Sequence, residues 1–513
     1  MVAASDRGNF PLVNFETPDG SVRDWFPPLV AVKGNSRLYG WEALAMQDQP
    51  DWSVIRSLKR WLRHAGPHTE IEAAGQALPL RLLLVELLSA LRTQLIERST
   101  LGATAEDRLE AMLGVPANAN SNQRFLTEDA AKAAGFEVLG LLNEPSSAAI
   151  EFAYRNSAER KARPQSGLVV YDLGGGTFDV SLVSLGEDEH SVLASDGIPD
   201  LGGDDFDEIL AELALEAAGL SASVREQLNF MQWSHLLEEC REKKEALNPN
   251  TRKVSVDLER VRSDWKEVSI PVDTYYERCR PLIESSRQVV ENLLATHPDH
   301  SLDTLYVTGG GSELPPVARI LRENFGRRVR RSAYMHSATA IGLAIRADAQ
   351  ADELRERFTQ NFGVWREADE GRNISFDLIF PRGMELPASG EPPLRSVRRY
   401  RPAHNIGYFR YLECGQLCPN NQPAGEISNW DDIRFPFDPA LQNHSELSAL
   451  TVNHLSAPGD ECLIEEAYSC DASGNLKVTI SNVTTGHARE YSIGRWSRGS
   501  NVTPIRSRKQ KRA

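Results

Sequence analysis

Residues 168–185, LVVYDLGGGTFDVSLVSL, decide the fold class of this chain. An apolar run ends at Asp172, three glycines and a threonine follow, and a second apolar run then begins. The pattern predicts a β-hairpin with a phosphate-binding loop, because glycines lack a Cβ atom and let backbone N–H groups face an anion. Taken alone, the segment also fits an ordinary glycine-rich hairpin, since short glycine motifs match by accident. The three glycines are Gly174, Gly175 and Gly176.

Further segments in the same half of the chain accompany this hairpin. LLNEPSSAAIEFAY, residues 141–154, precedes it, and IPDLGGDDFD, residues 198–207, follows it. In this order and at this spacing, the three segments resemble the seventy-kilodalton heat-shock chaperones, the DnaK-like branch of the actin-like ATPases. LYVTGGGSELPPVA at residues 305–318 resembles the adenosine loop of that family, and SATAIGLAIRA at residues 337–347 resembles the helix that closes its nucleotide domain. The resemblance covers most of residues 10–350.

The resemblance implies an α/β actin-like, ribonuclease-H-like ATPase domain of two lobes, followed by an antiparallel β-sandwich. The residue pattern is typical of the same plan, because helical spacing of leucines after Leu80 and three later helical patterns alternate with apolar strands. From Ile374 onward, short alternating runs and turn signals replace the helices, which favours antiparallel sheets. We therefore predict a nucleotide domain at residues 1–350, a charged linker with a helical pattern at 351–359, a sandwich at 360–495 and a basic tail at 496–513.

The resemblance also implies catalytic residues. Lys59, in VIRSLKRWL, matches the lysine that holds the attacking water or the γ-phosphate, although a lone lysine on a helix is usually only solvated. Glu144 matches the acidic residue that orients water near magnesium, and Asp172 matches the acidic residue of the outer shell of the metal. Thr177 matches the hydroxyl near the γ-phosphate. A carboxylate, a lysine and Mg²⁺ in one cleft suit phosphoryl transfer, and both carboxylates would hold the metal through water.

The residues expected to bind ATP or ADP fall into three groups. Gly202 and Gly203 let the backbone approach the phosphates from the opposite lobe. The adenosine loop supplies Gly309, Gly310, Gly311 and Ser312. The helical segment CREKKEALN, residues 240–248, flanks the base in the family and supplies Arg241, Lys244, Glu245 and Asn248.

The base side departs from the family pattern. Lys244 keeps the position that reaches the ribose, but Glu245 replaces the arginine that stacks on adenine, and Asn248 replaces a serine. Glu313 and His336 replace another arginine and an aspartate near the base. We expect altered base affinity, with Arg241 or Lys243 as the alternative stacking group.

Composition and charge exclude several classes of function. The formal charge of −15, from 57 basic and 72 acidic residues, argues against bulk nucleic-acid binding. No segment approaches the roughly 18 consecutive apolar residues of a membrane span, so we expect no membrane partner and a cytoplasmic location. Six cysteines are few for 513 residues, and buried reduced thiols are favoured over a zinc site or an oxidised pair. The basic tail is expected to stay solvated.

Three parts of the family pattern have no counterpart in this sequence. The opening strand and its Gly-Thr-Thr phosphate loop are not found, which we attribute either to a start upstream of Met1 or to loss of the loop. The leucine-rich linker is replaced by RADAQADELRERF, and about 20 residues follow the last predicted strand, too few for a helical lid. We expect impaired ATP hydrolysis and weak coupling between nucleotide and peptide.

The sequence thus predicts a divergent DnaK-like molecular chaperone of protein folding and the stress response. It would use ATP hydrolysis to regulate binding of unfolded or apolar polypeptide segments, with a co-chaperone and a nucleotide exchange factor as further partners. The alternative is a non-catalytic scaffold or nucleotide sensor on a degraded actin-like fold. A sugar kinase or a filament-forming actin relative fits less well, because the NEP, GGDDFD and sandwich segments occur together only in the chaperone branch.

Overall fold

The computed structural model describes residues 1–493 and 503–504, except residues 48, 50, 57, 67, 158–165, 187–188, 221–222, 349–352, 369–372, 431, 445–446 and 455–461. Contacts between Cα atoms divide the chain into two compact units. Unit 1 comprises Met1–Trp61, Thr69–Asn118 and Thr127–Leu354, and unit 2 comprises Leu62–His68, Ala119–Leu126 and Arg355–Ala513. The boundaries predicted at residues 350 and 360 remain predictions. The basic tail lies outside the described residues, apart from the short strand Thr503–Pro504.

The helices of the described residues are α1 (Trp41–Leu44), α2 (Leu58–Trp61), α3 (Leu80–Glu97), α4 (Ser121–Ala133), α5 (Glu144–Arg155), α6 (Gly203–Ala217), α7 (Val224–Gln227), α8 (Phe230–Glu245), α9 (Val272–Ala295), α10 (Pro315–Phe325) and α11 (Ala338–Ala347). The four long helices predicted from leucine spacing correspond to α3, α6, α8 and α9.

The strands of unit 1 are β1 (Phe15–Glu16), β2 (Val22–Arg23), β3 (Val30–Lys33), β4 (Ser36–Tyr39), β5 (Ser53–Ile55), β6 (Glu70–Ala73), β7 (Gln76–Pro79), β8 (Glu110–Val115), β9 (Glu137–Asn143), β10 (Ser166–Leu173), β11 (Phe178–Leu185), β12 (Glu189–Ile198), β13 (Lys253–Val256), β14 (Val268–Pro271), β15 (Thr304–Thr308), β16 (Val329–Arg331) and β17 (Glu353–Arg355), of which β17 spans the unit boundary. The strands that lie wholly in unit 2 are β18 (Asn361–Ala368), β19 (Asn373–Phe380), β20 (Leu394–Tyr400), β21 (Ile406–Leu417), β22 (Pro423–Asn429), β23 (Ile433–Pro436), β24 (Ile464–Cys470), β25 (Leu476–Asn482), β26 (His487–Ser492) and β27 (Thr503–Pro504).

A six-stranded sheet of order β16-β15-β10-β11-β12-β17 forms the centre of unit 1. The predicted hairpin is confirmed, because β10 and β11 pair antiparallel with Leu173 opposite Phe178. β15 runs parallel to β10 on its other side. Alternate residues of β10 enter two different cores, with Tyr171 on one face and Val170 on the other. A strand that is covered on both faces has apolar residues at successive positions, which explains the continuous apolar run before Asp172.

The chain segment after α11 differs from its prediction. The sequence pattern of residues 346–358 indicated a helix, but Glu353–Arg355 forms β17 at the edge of the six-stranded sheet. The helical prediction is therefore wrong for Glu353–Arg355, whereas Arg346 and Ala347 form the end of α11. Three residues can form a strand when their backbone N–H and C=O groups pair with an open sheet edge. The spacing of apolar residues along the sequence does not reveal that edge.

Unit 2 contains two antiparallel sheets, one of order β19-β18-β21-β22 with β23 on β21, the other of order β20-β24-β25-β26-β27. We call these two sheets the sheet pair. Phe362 and Tyr411 of the first sheet share one core with Tyr468 and Val478 of the second. Within the same unit, Ser121 donates from its hydroxyl to Glu413 at 2.5 Å. No helix among the described residues combines the length and apolarity that crossing a membrane requires.

Candidate functional site

The phosphate loop, residues 174–177, is held against the start of α6 by backbone hydrogen bonds. Gly203 N–H donates to the carbonyl of Gly174 at 2.9 Å, and Asp204 N–H donates to that of Gly175 at 2.8 Å. A Cβ atom on Gly202 would stand 2.4 Å from the Gly175 carbonyl oxygen, so only glycine permits this approach. The two glycine segments that the sequence singled out therefore lie directly together.

The predicted adenosine loop packs on the other side of the phosphate loop. Gly309 has a φ of +85°, and a Cβ atom there would lie 2.3 Å from the carbonyl oxygen of Leu173. A 3₁₀ turn, Gly310–Glu313, follows. Within it, the Ser312 hydroxyl donates to the Thr308 carbonyl at 2.8 Å and so stabilises the turn. All three glycine segments thus meet at one place at the carboxyl ends of β10 and β15.

Two aspartates stand opposite each other on the hairpin beneath the phosphate loop. The antiparallel register pairs Asp172 of β10 with Asp179 of β11, and both side chains are buried. Asp179 accepts a hydrogen bond from Ala117 N–H at 2.9 Å and another from the Thr177 side chain. Thr177 is therefore positioned by Asp179 at the end of the loop.

Lys59 and Glu144 form an ion pair beside these aspartates. Lys59 lies in the short helix α2, and Glu144 is the first residue of α5, where the helix dipole favours a carboxylate. The ammonium Nζ lies 2.7 Å from Oε2 of Glu144 and also contacts Oε1. The predicted catalytic lysine and water-orienting glutamate are thus in direct contact.

Burial and mutual charge shift the protonation of this group. Burial raises the pKa of Asp172 to about 8, helped by the charges of Glu144 and Asp179 and opposed by Lys59. Burial likewise raises the pKa of Asp179 to about 6, again with a contribution from Glu144. Burial acts to lower the pKa of Lys59, but the charge and hydrogen bond of Glu144 outweigh it, and that pKa is raised. Three carboxyl groups share one ammonium, so a bound cation would offset the cost of ionising all three.

Lys244 of α8 also points at the phosphate loop region. Its ammonium lies 2.7 Å from Asp207 Oδ1 and donates to the Gly203 carbonyl at 2.7 Å. Burial raises the pKa of Asp207 to about 7, and Lys244 opposes that rise. The lysine predicted to reach a ribose is therefore tied to α6 by a carboxylate that the sequence reading did not single out.

The residues predicted to surround the base form ion pairs of their own. Arg241 Nε lies 3.0 Å from Glu245 Oε1 one helical turn later. His336 Nε2 lies 3.0 Å from Glu313 Oε2. Asn248 ends the segment and accepts from Asn250 N–H at 3.0 Å. Lys243, the other proposed stacking group, pairs with Glu239 at 3.2 Å.

These elements border one cleft of about 1180 Å³ in unit 1. Its volume is ample for a nucleotide. Among the described residues, the cleft lining includes one group beside the phosphate loop, Glu144, Asp172 and Gly175, and one group in the segments predicted to flank the base, Glu245, Glu313 and His336. We call these the phosphate end, which also includes Lys59 and the rest of the phosphate loop, and the base end, which also includes Arg241 and Asn248.

The side chains at the phosphate end fit a magnesium ion that is held through water and phosphate. Within the described part of the chain, no group of three or more histidine, cysteine or acidic side chains could hold a metal by itself. Mg²⁺ commonly keeps several waters and takes only one or two carboxylates plus substrate phosphates. Buried Asp172 and Asp179 suit such a site. All six cysteines are free thiols, and four of them are buried, as the sequence favoured.

The structure brings the predicted catalytic residues Lys59, Glu144, Asp172 and Thr177 together, along with the glycines of all three loops. Sequence reasoning missed Asp179, which bonds to Thr177, Asp207, which pairs with Lys244, and Arg60, which lies beside Gly176. The sequence could have indicated Asp179. A four-residue loop after Leu173 places Phe178 opposite Leu173, and the next pair of the hairpin is then Asp172 and Asp179. No comparable signal marked Asp207, since its partner Lys244 is remote in sequence.

The fold and this cleft define an α/β protein with a glycine-lined anion site, joined to antiparallel sheets. Comparison with known proteins gives the family. The profile of the family described as Hsp70 protein matches residues 64–357, and the chain belongs to the Hsp70 family. Members of this family are ATPases that bind ATP or ADP with Mg²⁺.

Among similar proteins, the "Chaperone protein HscA homolog" of Vibrio vulnificus (strain CMCP6) is 32% identical over 501 residues, covering 93% of this chain and 73% of the relative. The protein of the same name from Vibrio campbellii (strain ATCC BAA-1116) is 31% identical over 498 residues, with the same coverage of both chains. "Chaperone protein HscA" of Klebsiella pneumoniae (strain 342) is 31% identical over 347 residues, which cover 64% of this chain and 54% of that protein.

Proposed function

We propose that this Hsp70-family chain is a DnaK-like chaperone with an actin-like nucleotide domain and a β-sandwich substrate domain. It binds ATP and ADP with Mg²⁺ in the cleft of unit 1, hydrolyses ATP, and thereby regulates binding of unfolded or apolar polypeptide segments. The observation that carries the proposal is the contact of Lys59 with Glu144 beside Asp172, next to three interlocked glycine loops. Phosphoryl transfer needs positioned charge and a positioned water more than covalent chemistry from protein, and this group supplies both.

Each side chain at the phosphate end has a role that follows from its position. The ammonium of Lys59 neutralises charge on the terminal phosphate or holds the attacking water, and Glu144 fixes the ammonium while orienting that water. Asp172 and Asp179 supply the negative charge that retains a hydrated cation. Mg²⁺, when bound, would add charge neutralisation across the phosphates. Thr177 is fixed by Asp179 and closes the loop over Gly174 through its carbonyl.

The sheet pair is the proposed site for polypeptide. The HscA relatives carry the name chaperone, and the sheet pair exposes the apolar side chains of Ile374, Val397 and Ile427. An extended segment can pair with strand edges through backbone hydrogen bonds while apolar side chains contact such residues. A co-chaperone and a nucleotide exchange factor are the further partners that we propose by family membership. Cytoplasmic location, a part in protein folding and the stress response also belong to this proposal.

The alternative function is a nucleotide-sensing scaffold that does not turn over ATP. The ion pairs Arg241–Glu245 and Glu313–His336 favour it, because they occupy side chains expected to bind the base. The two functions share a cleft and differ in hydrolysis. The base end alone therefore does not decide between them.

Titration calorimetry with Mg-ADP and single-turnover phosphate release from Mg-ATP test the proposal on this chain. We expect weak ADP binding and slow but measurable hydrolysis. Release of a fluorescent apolar peptide, followed with and without ATP, tests the sheet pair. Binding of nucleotide with no phosphate release and no peptide binding would favour the scaffold, and no binding of either nucleotide would contradict both functions.

A further inference from the structure

Arg60 lies on the phosphate loop, next to the lysine that the proposed function uses. Its Nε atom is 2.9 Å from the position that a Cβ atom on Gly176 would occupy. A side chain at residue 176 would therefore displace the guanidinium from this position. The third glycine of the motif makes room for an arginine at the phosphate end, which no sequence reading assigned.

The guanidinium of Arg60 is only partly satisfied. One terminal nitrogen donates to Asp205 Oδ2 at 3.1 Å. Nε forms an ion pair with Asp204 Oδ2 at 3.8 Å, too long for a hydrogen bond, and this buried nitrogen has no hydrogen-bond partner. A buried N–H group without an acceptor is costly, so an acceptor at this place stabilises the protein.

The neighbouring cation, Lys59, differs from Arg60 because its ammonium nitrogen already has hydrogen-bond acceptors. Lys59 is engaged by both oxygens of Glu144, at 2.5 and 2.7 Å. Arg60 therefore holds spare donor capacity at the phosphate end, and its planar guanidinium matches phosphate oxygens better than an ammonium does. Its carboxylate partners stand at the start of α6, where the loop glycines are bound.

Resting on the proposed function, we propose that Arg60 is the residue by which the cleft distinguishes a nucleoside triphosphate from a diphosphate. Without a terminal phosphate, Asp204 and Asp205 hold the guanidinium against α6. A terminal phosphate competes with Asp204 for the unsatisfied donor. The inference concerns binding, so hydrolysis is not needed to test it.

The experiment compares the affinities of the full chain for Mg-ADP and for a non-hydrolysable Mg-ATP analogue by calorimetry. We expect Arg60→Gln to weaken the triphosphate analogue by about tenfold and ADP by about twofold or less, the loss of one charge-assisted contact. Arg60→Lys keeps the positive charge but lacks the planar guanidinium, so it should restore part of the difference in affinity between the triphosphate analogue and ADP. Asp204→Asn removes the competing carboxylate and should strengthen the triphosphate analogue by about threefold.

Arg278→Gln is the matched control, because Arg278 is exposed and pairs at 3.0 Å with Glu216, near the end of α6 that is remote from the phosphate loop. Its two affinities should equal those of the unsubstituted chain. If Arg60→Gln weakened the affinity for both nucleotides equally, Arg60 would bind phosphate without distinguishing the two, and the inference would be overturned. Unchanged affinities for both would overturn it as well. If Arg60→Gln does not fold, Asp204→Asn decides alone, and an unchanged triphosphate preference overturns the inference. An unsubstituted chain that binds neither nucleotide overturns the proposed function itself.

Discussion

The phosphate end and the base end of the cleft differ in how their charges are used. At the phosphate end, three carboxyl groups surround Lys59, and burial raises the pKa values of Asp172 and Asp179, so a bound cation would offset the cost of ionising both carboxyl groups. At the base end, Arg241 pairs with Glu245 and His336 lies within ion-pair distance of Glu313. Phosphoryl transfer requires charged groups at fixed positions around the phosphates, whereas many different side-chain contacts can hold a base. The base end is therefore the part that can diverge without loss of the fold.

The largest effect is expected from removing the ammonium at the phosphate end. In Lys59→Ala, single-turnover ATP hydrolysis should fall by about 100-fold or more, because the lost charge acts mainly on the transition state. ADP affinity should change by no more than about threefold, since ADP lacks the terminal phosphate. Glu144→Gln should behave similarly. Rapid-quench measurement of phosphate and calorimetry with ADP check the two parts.

Lys33→Ala serves as the control for Lys59→Ala, because Lys33 forms its ion pair with Asp51 at 3.1 Å, whereas Lys59 pairs with Glu144 of the phosphate end. Its hydrolysis rate should match that of the unsubstituted chain. If Lys59→Ala retained that rate too, the assignment of catalysis to the phosphate end would be wrong, and the comparison between the two ends would lose its basis.

Removing a buried carboxylate should stabilise the protein without nucleotide. The folded pKa of Asp172 is about 8 against an ordinary 3.8. Its stabilising contribution is thus complete below about pH 4 and is lost as pH rises through about 8. Asp172→Asn should therefore melt higher than the unsubstituted chain near pH 9, by roughly 5 °C, with a smaller difference near pH 5. Calorimetric melting across that range checks the sign.

The same substitution should weaken Mg-ADP binding, because the site loses a carboxyl group that can ionise when the hydrated cation binds. A melting difference that does not grow with pH would show that Asp172 is ionised without penalty. Stability gained together with binding lost would sharpen the comparison, since it would mark the phosphate end as strained for function.

A moderate effect is expected at the base end. Glu245→Arg installs the stacking arginine that the family resemblance implies, and ADP affinity should rise by about threefold to tenfold, the range of a partly exposed cation–π contact. Glu277→Arg makes the same charge change on an exposed position that does not line the cleft and should leave affinity unchanged. Calorimetry with Mg-ADP measures both. No gain in Glu245→Arg would indicate that the base end no longer holds adenine.

The sequence predicted the fold and the phosphate end wherever the local apolar pattern matches the strand pairing of the structure. The run from Leu168 to Leu185 alternates between two covered faces, so its strands followed directly. The linker strand Glu353–Arg355 could not be read, because it depends on an open sheet edge supplied by β12, far away in sequence. Asp207 and Arg60 were missed for the same reason, since their partners Lys244 and Gly176 are brought near only by folding.

The smallest effect concerns Arg241, the alternative stacking group. Arg241 lines the cleft, but its guanidinium is held by Glu245 on the same helix. An exposed i,i+4 pair contributes only about 0.3–0.5 kcal/mol, so its loss hardly alters the stability of α8. If the pair also keeps Arg241 from a bound base, Arg241→Ala should lower ADP affinity by about twofold at most. A loss of tenfold or more in calorimetry would mean that Arg241 leaves Glu245 to stack on the base. The base end would then have moved its stacking arginine by one helical turn, and Glu245 would orient that arginine before nucleotide binds.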